Sequence, residues 1–236
     1  MAGHSKWETT KRQKGANDAK RGAVFTKLGN QIAVAARAGA DPVMNAALAV
    51  AIERAKTANM PNANIQRAID RVTDKNAAVL EEITYEAYGP GGVGIIIETA
   101  TDNRNRTYPE VRSALAKNGG TIADAGSVAF QFTRKGVINV KGVGEDALLE
   151  MLDAGAEDVK ELDEEGELIV YTGLKDLFKV RQAVIEKGFE VINAELQYVG
   201  NSEIEIDELT EETLVKLLGV IDDLDDVTSV YTNAKG

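Results

Sequence analysis

A chain of 236 residues with 44% hydrophobic content and a net charge of −11 is long enough to bury real cores, in one large domain or two to three small ones. It has no cysteine and a single histidine, His4, which excludes disulfides, thiolate zinc sites, cysteine nucleophiles and any imidazole cluster for a metal or a catalytic triad. No apolar run approaches the roughly 20 residues of a membrane span, and the polar, basic start lacks the apolar stretch of a signal peptide, so a cytoplasmic protein with no membrane partner is expected.

The first feature met along the chain is electrostatic. Residues 1–27 carry seven basic groups, Lys6, Lys11, Arg12, Lys14, Lys20, Arg21 and Lys27, against Glu8 and Asp18. Residues 1–75 hold 13 of the 27 basic and 6 of the 38 acidic side chains, a net +7, which leaves −18 for residues 76–236. Charge beyond a Debye length of about 8 Å is screened, so the local basic face decides what docks, and nucleic acid is the expected partner despite the acidic total. The opening arm has few apolar anchors. Its lysines and arginines gain affinity through counterion release from phosphates, which is steeply salt-dependent and carries no sequence reading. Trp7 either stacks on a base or packs back against the segment that follows.

From residue 18 to about 71 the spacing predicts three helices. Phe25, Leu28 and Ile32 recur at three- and four-residue intervals up to a stop near Gly39, and Lys20 and Lys27, seven residues apart, share a solvated face of that helix. Asp41-Pro42 reads as a cap and first position for the second helix, with Met44, Leu48, Ala51, Ile52 and Ala55 as its stripe. Pro61 ends it, and Asn62 caps a third helix carrying Ile65, Ile69 and Val72.

After Asp74 the period changes. Residues 83–88 and 93–100 read as strands joined by Gly89-Pro90-Gly91-Gly92, a turn that lacks the Lys-Ser/Thr end of a P-loop. Residues 106–118 read as a helix stopped by Gly119-Gly120, and 128–133 as a returning strand. Residues 137–199 then give strand, helix, strand, strand, helix, strand, the βαββαβ order of a ferredoxin-like unit. A helix at 211–221 and a strand at 227–232 are left over, preceded by a short strand at 203–207. These need a sheet to join, and the strands of 93–133 supply one. The expected fold class is therefore α+β: an N-terminal three-helix domain followed by two ferredoxin-like α/β domains, the third inserted in the second. The boundaries are 1–75 for the arm and helical domain, 76–135 plus 200–236 for a discontinuous α/β domain, and 136–199 for the inserted one. The rival arrangement is three units in simple sequence order.

Thr101-Asp102-Asn103-Arg104-Asn105-Arg106-Thr107 runs into a helix N-terminus. There, free backbone donors with Arg104 and Arg106 suit a phosphate or carboxylate, or else the Asp and Asn side chains cap the helix and the arginines pair with acids of the body. The acidic runs at 161–167 and 222–226 match no EF-hand spacing and read as solvated. No paired base and nucleophile emerges, so a non-enzymatic protein without a cofactor is expected.

Several long motifs carry a resemblance. The start Met1-Ala2-Gly3-His4-Ser5-Lys6-Trp7, the spaced Lys11, Lys14, Asp18, Arg21, Phe25 and Lys27, and the stretches 85–92 and 99–107 together resemble the YebC/PmpR family across the whole chain. The resemblance implies an N-terminal helical domain and two α/β domains. Bacterial members are described as DNA-binding transcriptional regulators, the mitochondrial relative as a translational activator of cytochrome c oxidase, and some bacterial relatives as ribosome-associated factors that help at proline-rich stretches. After Trp7 this chain reads Glu8-Thr9-Thr10-Lys11, where relatives often carry a hydrophobic residue and Lys.

Two functions are expected from this reading. The first is a regulator that places Lys6, Lys11, Arg12, Lys14, Lys20, Arg21 and Lys27 on DNA phosphates, with Arg104 and Arg106 as a second contact. The second is a translation factor that uses the same head on ribosomal RNA, with the ribosome as partner. The helical segment shows no recognition helix opening on base-reading side chains, which suits shape or backbone binding.

Overall fold

The computed structural model describes residues 18–72, 78–141, 145–161 and 167–235. In chain order the elements are α1 (Asp18–Ala36), α2 (Ala46–Thr57), α3 (Asn62–Asp70), β1 (Glu81–Tyr88), β2 (Gly94–Thr101), α4 (Arg104–Lys117) and β3 (Thr121–Ala123). There follow β4 (Phe132–Lys141), α5 (Glu145–Asp153), β5 (Asp158–Glu161), β6 (Glu167–Thr172), α6 (Leu177–Glu186), β7 (Glu190–Gly200), β8 (Ile204–Glu205), α7 (Glu208–Asp222), β9 (Val227–Thr232) and β10 (Ala234–Lys235). The described residues form two compact units, 18–130 with 206–232 and 131–205 with 233–235.

The first unit opens with three helices. Leu28, Ile32 and Ala36 of α1 meet Leu48, Ala51 and Ala55 of α2 and Ile65 and Ile69 of α3 in one core. The three- and four-residue spacing puts each set on one helix face, and the alanines let the backbones approach closely. The second helix begins at Ala46 and not at Pro42. Asp41 Oδ1 accepts from Val43 N at 2.9 Å and closes a turn, while buried Asn45 is the cap. Asn45 Oδ1 accepts from Leu48 N at 3.1 Å, and its Nδ2 donates to Ala35 O at 2.8 Å and Gly39 O at 2.7 Å. A carboxamide has both an acceptor and two donors, so it ties the end of α1 to the start of α2, which a carboxylate at residue 41 has no donors to do. Asn62 likewise lies inside α3, preceded by Pro61 at the cap position with no side-chain bond.

The same unit holds a four-stranded antiparallel sheet in the order β3-β1-β2-β9. The inner strand β2 is buried along nearly its whole length because both pleat faces are covered, and Ile95, Ile96 and Ile97 are all fully buried. Helices α4 and α7 pack on each other and bring Val111, Leu115, Leu214, Leu217, Leu218 and Ile221 into the interior. Helix α1 lies against β2 and β9, where Gln31 Nε2 donates to Thr228 O at 3.2 Å. Gly91, at φ +76°, makes the β1–β2 turn, and a Cβ there would come within 2.8 Å of Ile206.

The returning strand expected at 128–133 is replaced by two features. The strand that pairs with β1 is the shorter Thr121–Ala123, residues 129–131 form a 3₁₀ turn, and Phe132 already opens β4. The cause is Glu86, a buried residue of β1. Its carboxylate accepts from the amides of Gly126 and Val128, both at 2.6 Å, and of Ala129 at 2.7 Å, so these donors are taken from any ladder.

The second unit has the ferredoxin-like order β5-β6-β4-β7, antiparallel throughout. Ile138, Val140 and Val170 of the sheet meet Met151 of α5 and Val180 and Val184 of α6 in its core. Gly136 sits where α6 crosses β4, and a Cβ there would overlap the Thr172 hydroxyl and press on Leu177. The turn expected at 163–166 lies outside the described residues. The short strand expected at 203–207 does not join the first sheet: Ile204–Glu205 pairs in parallel with Ala234–Lys235 near the chain end. The fold is thus α+β, and α7 and β9, from beyond residue 205, complete the first sheet, which excludes the simple sequential arrangement.

Glu86 supplies a test. Burial raises its carboxyl pKa, but the three amides more than offset this and hold it below the ordinary 4.5. Glu86→Gln is expected to cost about 2 kcal/mol on denaturant unfolding near neutral pH, the range for hydrogen bonds to a charged group. With a depressed folded pKa, the wild type holds this stability above its ordinary value of 4.5 and loses it as pH falls through the folded value, whereas the Gln variant has none to lose. The gap between the two proteins should therefore narrow on acidification, and a gap that stays constant through that window contradicts the assignment.

Candidate nucleic-acid interface

Of the basic residues expected to meet phosphate, Lys6, Lys11, Arg12 and Lys14 lie outside the described residues, as do His4 and Trp7. Lys20 and Arg21 fall in the first turn of α1, and their side chains are outside the described set.

Lys27 departs from the expectation of a solvated face. Its side chain is only 13% exposed, and Nζ is 4.0 Å from Asp222 Oδ1 at the last residue of α7. The cause is packing: α1 lies across β2 and β9, which brings Lys27 to the negative end of the α7 dipole, where a cation is favoured.

The 101–107 loop resolves into a cap and an ion-pair network. Asn103 is the cap of α4, and its Oδ1 accepts from Asn105 N at 3.1 Å and Arg106 N at 3.2 Å, so these first-turn donors are already used. One Arg106 terminal nitrogen donates to both oxygens of Asp226 at 2.8 Å and to Asp102 Oδ1 at 3.3 Å. Asp226 is 7% exposed. Its Oδ2 also accepts from Thr101 Oγ1 at 3.0 Å and Thr107 Oγ1 at 2.7 Å. Burial pushes the Asp226 carboxyl up, but the bonds from Thr107, Arg106 and Thr101 prevail and hold it below the ordinary carboxylate range. Arg106 and Asp226 therefore join the start of α4 to the start of β9. Of the two readings of this loop, the geometry builds capping and acid pairing. Arg104 stands apart: it is 68% exposed, and its Nε lies 3.7 Å from Glu81 Oε2, itself 58% exposed.

Asp226 is the residue that sequence reasoning misses. It stands in a run of four aspartates within five positions, Asp222, Asp223, Asp225 and Asp226, and nothing local separates it from the others. Elsewhere on the helical part, Arg37 Nη1 donates to Leu80 O at 2.9 Å, and Arg71 Nη2 lies 3.9 Å from Asp102 Oδ2. Among the described residues, no group of three or more His, Asp or Glu side chains is placed to hold a metal ion, and no helix is long and apolar enough to cross a membrane.

Comparison with known proteins covers nearly all of the chain. Residues 5–75 match the family model described as the TACO1/YebC protein N-terminal domain, and residues 80–234 the one described as the TACO1/YebC second and third domain. The chain is 46% identical over 238 residues to a probable transcriptional regulatory protein of Chlorobaculum tepidum, covering 99% of this chain and 94% of that one. It is 48% identical over 241 residues to a protein of the same description from Chloroflexus aurantiacus, covering 99% and 95%. A crystal structure of a conserved hypothetical protein from Aquifex aeolicus superposes with a TM-score of 0.84 at 40% identity, covering 92% of this chain and 91% of that one. Matches of this extent over both units show that the chain belongs to the TACO1/YebC family.

Proposed function

We propose that this protein is a non-enzymatic regulator that binds nucleic acid through the basic N-terminal segment, with DNA as the target in transcriptional control. The observation that carries the reading is the segregation of charge, +7 over residues 1–75 against −18 over the rest. Solubility needs net charge and not a dipole, so a mixed surface would serve it equally well. The relatives' description as probable transcriptional regulatory proteins supports a regulatory role. Lys6, Lys11, Arg12, Lys14, Lys20 and Arg21 are assigned to phosphate contact, and Arg104 to a second contact. Lys27 and Arg106 are assigned to the fold, because Asp222 and Asp226 hold them.

A second reading, a translation factor on ribosomal RNA, draws on one feature of the helical part. The shortest helix of that part, α3, opens on Asn62-Ala63-Asn64, and Asn64 Oδ1 accepts from Arg67 Nη2 in place of standing ready for a base edge. That suits recognition of backbone and shape, which is how structured RNA is read.

Two sets of variants separate these roles. Replacing Lys11, Arg12, Lys14, Lys20 and Arg21 together by Ala is expected to weaken binding at low salt. It should also flatten the plot of log affinity against log salt, by about 0.9 for each duplex DNA phosphate that is no longer neutralised. An unchanged affinity with an unchanged slope refutes the basic-head reading. Asp226→Asn is expected to do the reverse, lowering stability by about 2 kcal/mol in denaturant unfolding while leaving the salt slope as in the wild type. Crosslinking in cells followed by sequencing decides the target: promoter DNA without ribosomal RNA removes the translation reading, and the opposite recovery removes transcription as the direct activity.

A further inference from the structure

Two tyrosines flank the start of α4. Tyr85 of β1 and Tyr108 of α4 hold their ring centroids 6.0 Å apart at an interplanar angle of 49°, a tilted aromatic contact that fixes both rings. Tyr108 is 42% exposed. Among the described residues neither phenol oxygen has a hydrogen-bond partner. Other tyrosines of the same sheet differ in this respect: Tyr88 Oη donates to Ser127 O at 2.9 Å, and Tyr231 Oη donates to Glu98 Oε2 at 3.1 Å.

A cation stands beside the pair. Arg104 precedes Tyr108 by four residues on α4, so the two share a helix face. Burial raises the pKa of the Tyr85 phenol, the Arg104 guanidinium acts against it, and the Asp226 carboxylate adds to the rise. The ion pair from Arg104 to Glu81 is long and solvated on both sides, the kind of contact that contributes almost nothing in water. Arg106, two residues on, shows the contrast, because Asp226 and Asp102 hold it. An exposed aromatic ring braced from one side, with a weakly held guanidinium next to it, combines the two contacts by which proteins hold single-stranded nucleic acid: base stacking and phosphate pairing.

We propose that Tyr108, braced by Tyr85, is a stacking platform for one unpaired base of a single-stranded nucleic acid, and that Arg104 takes a phosphate next to that base. The proposal rests on the nucleic-acid reading above and adds to it a preference that a basic arm does not supply. Counterion release at the arm favours any polyanion, whereas a base stacked in a duplex has no free face to offer a tyrosine.

The test is a titration of the full chain with a short single-stranded oligonucleotide and with the same strand annealed to its complement. Tyr108→Leu is expected to weaken single-strand binding about ten-fold, within the range for one stacked base, and to leave duplex binding unchanged. Tyr108→Phe keeps the ring face and should bind the single strand as the wild type does. Arg104→Gln should lower the single-strand salt slope by about 0.7, one phosphate contact. If the wild type binds the single strand and Tyr108→Leu binds it equally well, the platform is refuted while the nucleic-acid reading stands. Equal losses on single strand and duplex, or a loss in Tyr108→Phe, also refute the platform. A wild type that binds neither probe removes both readings.

Discussion

The pairing of β9 with β2 is the contact on which the first unit depends. Ile95 stands opposite Thr232, Ile96 opposite Tyr231 and Ile97 opposite Val230, so the strand with three consecutive isoleucines is an inner one because residues 227–232 come back to cover it. Without β9, β2 would be an edge strand with exposed amides and three consecutive isoleucines, a template for aggregation. The return also carries α7, whose Leu214, Leu217, Leu218 and Ile221 are buried. The entropy of closing so long a loop grows only with the logarithm of its length, about 0.6 kcal/mol for each doubling. The intervening chain folds as a unit with its own core, which makes such a closure tolerable.

Two buried carboxylates fix what the sheet leaves loose. Glu86 gathers the amides of Gly126, Val128 and Ala129 and shapes the loop that leaves the first sheet. Asp226 gathers two threonine hydroxyls and a guanidinium and fixes the start of β9 to the start of α4. In both, the charge is taken from water only because several donors meet it, and both carboxyls are held in the ionised form. The acidity of residues 76–236 is therefore not all surface: part of it is internal framework. The same logic explains Lys27 and Arg106, cations whose acid partners come from α7 and the start of β9.

With those two cations assigned to the fold, the proposed head narrows to the arm and the first turn of α1. The proposed platform at Tyr85, Tyr108 and Arg104 gives the body a contact of different chemistry, a stacked base beside one phosphate. On these proposals the protein would hold polyanions through its basic segment and discriminate among them by strand state at the platform.

Periodicity and punctuation made much of the secondary structure legible. Phe25, Leu28 and Ile32, the β-branched strands around Gly89-Pro90-Gly91-Gly92, and the βαββαβ order each show as spacing or element order along the chain. Errors arose where a distant group redirected a local signal. Asn45 caps α2 because the carbonyls of Ala35 and Gly39 are within its reach. Residues 128 and 129 leave the expected strand because Glu86 takes their amides, and the motifs around Arg106 do not reveal that its carboxylate partner stands 120 positions away. Element types, the α+β class and the charge segregation are legible before folding, since each is a property of composition or of spacing along one element. Which cations are held in place and which aspartate is internal is settled by folding, because that depends on which side chains come within hydrogen-bond distance.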